Sequence, residues 1–502
     1  MCDAVRPEGK DDDVTRTLQF DRFYIGGNWV PPSSADRISV VSPVTEQLTT
    51  YVPAGTPADM DRAVEAARTA LEQDGWGVSP VEDRLRVLSE FHTGLVAAAD
   101  EMAALITQEM GCPITQSRNN QVAGPIGLLD SYLTLAREYP FREIRRSANG
   151  ATALVTRQPV GVVAAVVPWN MPLLTAMHKI APAILAGCTV VLKPSPEAPL
   201  SSYLLAELLH EAGLPPGVVN VVPADREASE HLVTHRGVDK VAFTGSSAAG
   251  RRIATLSGQD LRRVTLELGG KSAAVILDDA DLETTVESLR MGSFRNSGQV
   301  CSLKTRVLVP KVRKDELLDR LAALVESMPV GDPADTATQI GPLVSARQRG
   351  VVEGYLDIAR GEGASAVVGG GRPAEFERGW FVSPTVLDGV EPGMRIAQEE
   401  IFGPVLSVLT YDEVDEAVAM ANDSSYGLGG SVFTGDPERG LEVALRIHTG
   451  TVEINGSPSG PAAPVGGVKG SGIGREGGRE GLENYLETKS IGLPKVLAER
   501  LG

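Results

Sequence analysis

Between residues 61 and 137 apolar positions recur at three- and four-residue intervals, as in "DRAVEAARTALEQ" and "RLRVLSEFHTGLVAAADEMAALITQEMG", which predicts a mostly helical segment. From residue 159 the rhythm changes. "GVVAAVVPW", "CTVVLKPS", "VVNVVPA", "VDKVAFTG" and "RRVTLELGG" are short, β-rich and nearly continuously apolar, with helical patterns such as "MPLLTAMHKIAPAILAG" and "LSSYLLAELLHEAG" between them. Strands apolar on both faces that alternate with helices predict a doubly wound α/β unit, a parallel sheet covered on both sides. A second alternation runs from "SAAVILDDA" through "TRVLVP", "KDELLDRLAALVESM", "PVLSVLTY" and "GGSVFTG", and predicts another α/β unit. The glycines of Leu268-Gly269-Gly270 read as a flexible turn between the two, with a ligand cleft beside it. Residues 143–158 and 485–500 are extended stretches outside both alternations. Such segments need a pairing partner, which predicts strand exchange between subunits.

A chain of 502 residues is long enough for two large cores. Its formal charge of −18 and pI near 4.9 oppose binding to phosphate backbones or anionic lipid, so neither nucleic acid nor a membrane surface is an expected partner. The longest apolar run, "PVGVVAAVVPW", is too short for a membrane helix. The start, "MCDAVRPEGKDDDVTRT", is polar and acidic, unlike a secretion signal, and reads as a disordered tail. Four scattered cysteines, Cys2, Cys112, Cys188 and Cys301, without a CxxC pair or a histidine cluster at metal-ligand spacing, predict a reducing, cytoplasmic location and no metal site.

Ligands of doubly wound sheets bind beyond the carboxyl ends of the strands, and three of these ends carry distinctive residues: Pro168-Trp169-Asn170, Lys193-Pro194-Ser195 and Thr244-Gly245-Ser246. "GSSAAG" is not the GxGxxG dinucleotide fingerprint. In the second unit "FRNSGQVCSLKTR" sets Cys301 in a polar loop, as for a nucleophile, while Lys271 reads as a turn cation.

The segments "VVPWNMPLL", "LKPSPEAPL", "FTGSSAAG", "LELGGKSAAVI", "NSGQVCS", "QEEIFGPVLSV", "INGSPSGPAAPVGGVKGSGIGREGG" and "YLETKSI" resemble, in order and spacing, the aldehyde dehydrogenase superfamily, from about residue 20 onward. The resemblance implies NAD(P)-dependent oxidation of a small-molecule aldehyde to its acid through a thioester on Cys301. It makes Asn170 the oxyanion donor, Glu267 the base that activates water, and Glu476 an auxiliary acid. It assigns the cofactor to Trp169, Lys193, Ser195, Gly245, Ser246, Leu268, Glu400 and Phe402. It also implies an NAD(P)-binding domain at 19–142 and 159–267 after a tail at 1–18, a catalytic domain at 268–470, an oligomerisation arm at 143–158 and 480–502, and a homodimer or homotetramer.

Two departures matter. Many NAD-preferring relatives place glutamate three residues after the lysine, where this chain has Pro196. Glu197 follows and could still reach the ribose edge, so NAD is the expected cofactor with NADP possible. Thr175, His178, Arg295, Ser459 and Val465 stand where small-aldehyde relatives place bulky or aromatic side chains, which implies a wider, more polar tunnel. A CoA-acylating relative would lack Glu267, and a cysteine esterase would leave the cofactor residues unexplained.

Overall fold

The computed structural model describes residues 18–501; Cys2 and all but the last residue of the expected tail lie outside the described residues. Five parallel strands, Val162–Val166, Thr189–Lys193, Val219–Val221, Lys240–Thr244 and Arg263–Glu267, form the centre of an eight-stranded sheet in the spatial order third, second, first, fourth, fifth. Chain direction across the sheet reverses between the first and fourth strands. The loops leaving those strands diverge there and open a crevice beyond Val166 and Thr244.

Alternation in the strands decides which face each residue covers. Val163 and Ala165 pack with Met177, Ile180 and Leu204 on one face, whereas Val162, Ala164 and Val166 pack with Met60, Val64 and Leu232 on the other. Both faces are dry, as the continuous apolar runs require. The sheet is completed by pieces that leave no such run. A hairpin, Phe23–Ile25 and Asn28–Val30, adds antiparallel at one edge, and Gly472–Ile473 returns from far along the chain to pair with Leu266 and Glu267 at the other.

The second sheet has seven strands in the order Ser365–Val368, Thr385–Asp388, Val405–Tyr411, Lys304–Pro310, Ser272–Ile276, Gly429–Phe433 and Thr451–Ile454. All pairs are parallel except the first. Outside both sheets, Arg142–Arg146, Thr152–Pro159 and Leu486–Leu493 form a three-stranded antiparallel arm. The extended reading fails beyond it: Lys495–Leu501 is helical, its first turn closed by Leu497 and Ala498 N–H groups donating to Pro494 O. "KVLAERL" is rich in strong helix formers, and a proline ahead of it starts a helix without losing a bond.

The junction between the sheets also differs from the flexible turn expected. Gly269 and Gly270 are buried and have no left-handed φ. They are glycines for want of space: a Cβ on Gly269 would lie within 2.3 Å of a Glu400 oxygen, and one on Gly270 within 2.5 Å of the Cys301 carbonyl oxygen. Lys271, read as a turn cation, is 2 % exposed, and its Nζ has no hydrogen-bond partner. Burial pushes its amine down to about 7.

Candidate functional site

Cys301 follows a strained loop. After helix Leu282–Phe294 the chain turns through Asn296 (φ 53°) and Ser297 (φ 55°), left-handed conformations that cost a non-glycine residue energy and persist only under external restraint. The restraints are a set of amides. Asn296 N–H donates to Gln116 Oε1 (2.8 Å), Asn296 Nδ2 to Asn170 O (3.0 Å), Ser297 Oγ to Gly341 O (2.8 Å), and Val344 N–H to Gln299 Oε1 (3.0 Å). They join the loop after strand Val162–Val166 to the loop that carries Cys301, so nucleophile and Asn170 are fixed relative to each other.

Asn170 is 6 % exposed. One N–H of its side-chain amide donates to Gln299 O (2.9 Å), which orients the group and leaves the second N–H free. Its own carbonyl accepts from both Gln121 Nε2 (2.8 Å) and Asn296 Nδ2. The Cys301 backbone N–H lies at its own sulfur and favours the thiolate, so two N–H donors serve the region where an oxyanion would form. A reactive nucleophile needs its thiolate form. Here burial, and then the charges of Glu400 and Glu267, push the thiol up to about 12, with Arg295 opposing them. The thiol therefore holds its proton until a base removes it.

Glu267 ends strand Arg263–Glu267 and is 8 % exposed, with Oε1 unpartnered. Burial, and then the neighbouring charge of Glu476, raise its carboxyl well above the usual range, while Lys179 and Arg475 oppose the shift. A carboxylate destabilised in this way is a stronger base than one in water. Glu476 forms a buried ion pair with Lys179 (Nζ–Oε1 2.8 Å; 4 % and 0 % side-chain exposure). Lys179 Nζ also donates to Thr244 Oγ1 (2.6 Å). Sequence reasoning overlooked Lys179, although a lone charge in the otherwise apolar helix Pro172–Ala186 was a legible signal.

The sites expected for the cofactor surround the crevice. Lys193 ends its strand 7 % exposed, and burial pushes its amine down to about 8. It borders a cavity of about 410 Å³ whose walls include Val166, Ser229, Val233, Phe243 and Ser246, with Arg226 also in the lining. Ser246 caps helix Ser247–Gln259, its hydroxyl accepting from Ala249 N–H (3.3 Å), and the remaining N–H groups of that first turn have no partner in the helix. Gly245 N–H donates to Glu267 O (3.0 Å). Leu268 packs over Gly250, where a Cβ would come within 2.5 Å of its side chain. Glu400 accepts from Gly270 N–H (3.0 Å), and burial raises its carboxyl to about 7. Phe402, itself at φ 57°, meets Trp169 edge to face at 5.4 Å. The cavity brings the Lys193 amine and the Ser246 helix N-terminus together, and the half-buried Glu400 carboxylate stands outside its lining; this donor set suits a dinucleotide. The Glu197 carboxylate accepts from the Ser195 hydroxyl and pairs with the exposed Arg347 (3.2 Å).

Among the residues expected to line the tunnel, Thr175 turns its hydroxyl back to Met171 O (2.9 Å), His178 Nδ1 is buried without a partner, and Ser459 is exposed. Val465 pairs through its backbone with Glu476. Arg295 Nε is buried and unpartnered; the guanidinium is within electrostatic reach of Cys301, Cys112 and Glu453 and makes no ion pair among the described residues.

The model of the aldehyde dehydrogenase family matches residues 29–491. The chain is 47 % identical over 475 residues to geranial dehydrogenase of Castellaniella defragrans, covering 95 % of this chain and 99 % of that one. It is 42 % identical to 3-succinoylsemialdehyde-pyridine dehydrogenase of a Pseudomonas species, covering 94 % and 98 %. Among solved structures, an aldehyde dehydrogenase of Mycobacterium tuberculosis in complex with NAD+ superimposes with a TM-score of 0.93 at 44 % identity, covering 95 % and 99 %. A mutant aldehyde dehydrogenase of Pseudomonas syringae, complexed with NAD+ and octanal, gives 0.92 at 42 %, covering 95 % and 98 %.

Proposed function

We propose a residue-by-residue mechanism from one premise: this chain belongs to the aldehyde dehydrogenase family and oxidises aldehydes to carboxylic acids with NAD as cofactor. The proposal is supported by the Cys301 thiol lying within electrostatic reach of Glu267, whose Oε1 is unpartnered, and by an Asn170 amide tied through Gln299 to the Cys301 loop with one N–H free.

The Cys301 thiol gives its proton to solvent, and the sulfur adds to the aldehyde carbon. Asn170 Nδ2 and the Cys301 amide donate to the resulting oxyanion, each such donor contributing roughly 10²–10³ in rate. Lys193 and Glu400 would hold ribose hydroxyls, the first turn after Ser246 would hold the pyrophosphate, and Trp169, Leu268 and Phe402 would border the nicotinamide, which would supply the hydride acceptor. The product is a thioester on Cys301. Glu267 then accepts a proton from water, which attacks the acyl carbon and frees the acid. Glu476 and Lys179 pass that proton on and keep Glu267 available. Cys301→Ala should abolish dehydrogenase activity while Cys188→Ala retains most of it; equal losses would remove Cys301 from this role.

For the substrate we favour an aldehyde that carries a carboxylate or another strong acceptor. A guanidinium without an ion pair beside the nucleophile supports this, because a buried Arg otherwise pairs. The relatives span a terpenoid aldehyde and a pyridine semialdehyde by name, so chain length alone does not restrict the choice. Arg295→Leu should cost carboxylated aldehydes about tenfold or more in kcat/KM, the loss of one charge-assisted contact, and neutral ones little; equal losses would make Arg295 structural. We also propose a homodimer or homotetramer joined through the three-stranded arm, which sedimentation of a chain truncated at 485 would test. Free Cys112, Cys188 and Cys301 support a cytoplasmic location, checked by fractionation.

A further inference from the structure

Away from the crevice, Asp61 of helix Pro57–Glu72 meets His231 of helix Arg226–Thr234 and His235 just beyond it. His231 Nε2 lies 2.6 Å from Asp61 Oδ1 and His235 Nε2 3.3 Å from the same atom. One ligand atom from each of the three falls within 4.8 Å of the others. The mechanism uses none of them. We propose that Asp61, His231 and His235 form a site for a first-row divalent cation of the zinc type, which clamps the first helix to the wall of the cofactor cavity.

The donor chemistry is the first argument. Two imidazoles and a carboxylate suit zinc and its neighbours, whereas magnesium and calcium prefer all-oxygen sets. Ligands about 2.1 Å from one ion stand roughly 3.0–3.4 Å apart, so the two observed separations need only small adjustment. The framework is the second. His231 and His235 are four positions apart, the interval that puts side chains on one helical face, and the carboxylate comes from 170 positions away on another packed helix. The absence of metal-ligand spacing expected from the sequence is therefore corrected at "HLVTH": the interval is there, and only folding supplies its third ligand.

Exposure leaves room for water in the remaining coordination positions, the three side chains being 37 %, 25 % and 55 % exposed for His231, His235 and Asp61. The nearby cations are already occupied. Arg68 pairs with Asp239 and donates to Gly237 O (2.9 Å), and Arg262 donates to the carbonyls of Val233 and His235. One rearrangement is required. Gly237 N–H now donates to His235 Nδ1 (2.9 Å), so the ring proton sits on Nε2; ligation by Nε2 moves that proton to Nδ1 and turns the half-buried Gly237 amide to water. The same helix lines the 410 Å³ cavity through Ser229, Glu230 and Val233, so an ion on its outer side braces the wall against which the cofactor rests.

The test is equilibrium dialysis against zinc with metal analysis, in a Cys301→Ala background that removes the nucleophilic thiol as a competing ligand. The expected result is one zinc per chain above the content of the same protein carrying Asp61→Asn or His231→Gln, affinity in each falling at least tenfold. The parent should also gain thermal midpoint with zinc, since an ion bound only by the folded state stabilises it by mass action. With Cys301 intact, His231→Gln should keep its dehydrogenase activity, which shows that the variant folds. Equal zinc uptake by parent and variants, no uptake by the parent at about tenfold excess of metal over chain, or equal uptake of magnesium would each overturn the assignment.

Discussion

Replacing Glu267 by Gln separates the two halves of the reaction. The side chain is 8 % exposed in a tight pocket, where even a Cβ on Gly466 would come within 2.4 Å of Oε1, so a nearly isosteric amide is the change least able to disturb Cys301 or Asn170. Two effects follow. The base for the attacking water is lost, which slows thioester hydrolysis by about 10²–10⁴, or roughly 2.7–5.4 kcal/mol at 1.36 kcal/mol per decade. One of the two carboxylates that raise the Cys301 thiol also disappears, so the thiol should ionise at lower pH than in the parent. Rapid mixing with aldehyde and NAD should give a burst of at most one NADH per site, followed by the slow steady rate, and intact mass spectrometry should find the acyl adduct. Thiol alkylation against pH should show the downward shift. A variant with no burst and no adduct would mean that proton removal from the thiol depends wholly on Glu267. Undiminished turnover would refute the base assignment.

Lys179→Met leaves Glu476 buried without its cation and should destabilise the fold by about 3–5 kcal/mol in chemical denaturation, with partial recovery when Glu476→Gln is added. Since Lys179 holds the Glu267 carboxyl down, the rise of activity with pH that reports Glu267 ionisation should move to higher pH in Lys179→Met and back to lower pH in the double variant, which also removes the larger raising charge of Glu476; an unmoved profile would disconnect the pair from Glu267. With Pro196 in place of a repelling carboxylate and Glu197 tied to Ser195 and Arg347, NADP should also be accepted, though not more than about tenfold better than NAD. Arg226→Ala should then lower kcat/KM for NADP by about tenfold, one charge-assisted contact to the extra phosphate, and leave NAD nearly unchanged; equal effects on both would place Arg226 outside the ribose pocket.

The alternation of apolar runs determined the two sheets, because a strand buried on both faces must be apolar at nearly every position and a crossover helix must separate parallel neighbours. The motifs at the strand ends likewise put Asn170, Lys193, Gly245 and Glu267 at one crevice, since strand order and direction fix where carboxyl ends lie. Short local signals went further than expected at Lys179 and His231, where one misplaced charge and one four-residue interval were legible. Tertiary structure alone decided the rest. Gly269 and Gly270 could be glycine for conformation or for space, and only the approach of Glu400 and the Cys301 carbonyl shows that space is the reason. Lys271 reads as solvated from its neighbours in the chain, yet it is enclosed by elements more than a hundred positions away. The proton affinities of Cys301 and Glu267 depend on desolvation and on charges at Glu400, Glu476 and Lys179. These are long-range, distance-dependent energies, and a linear pattern holds no distances.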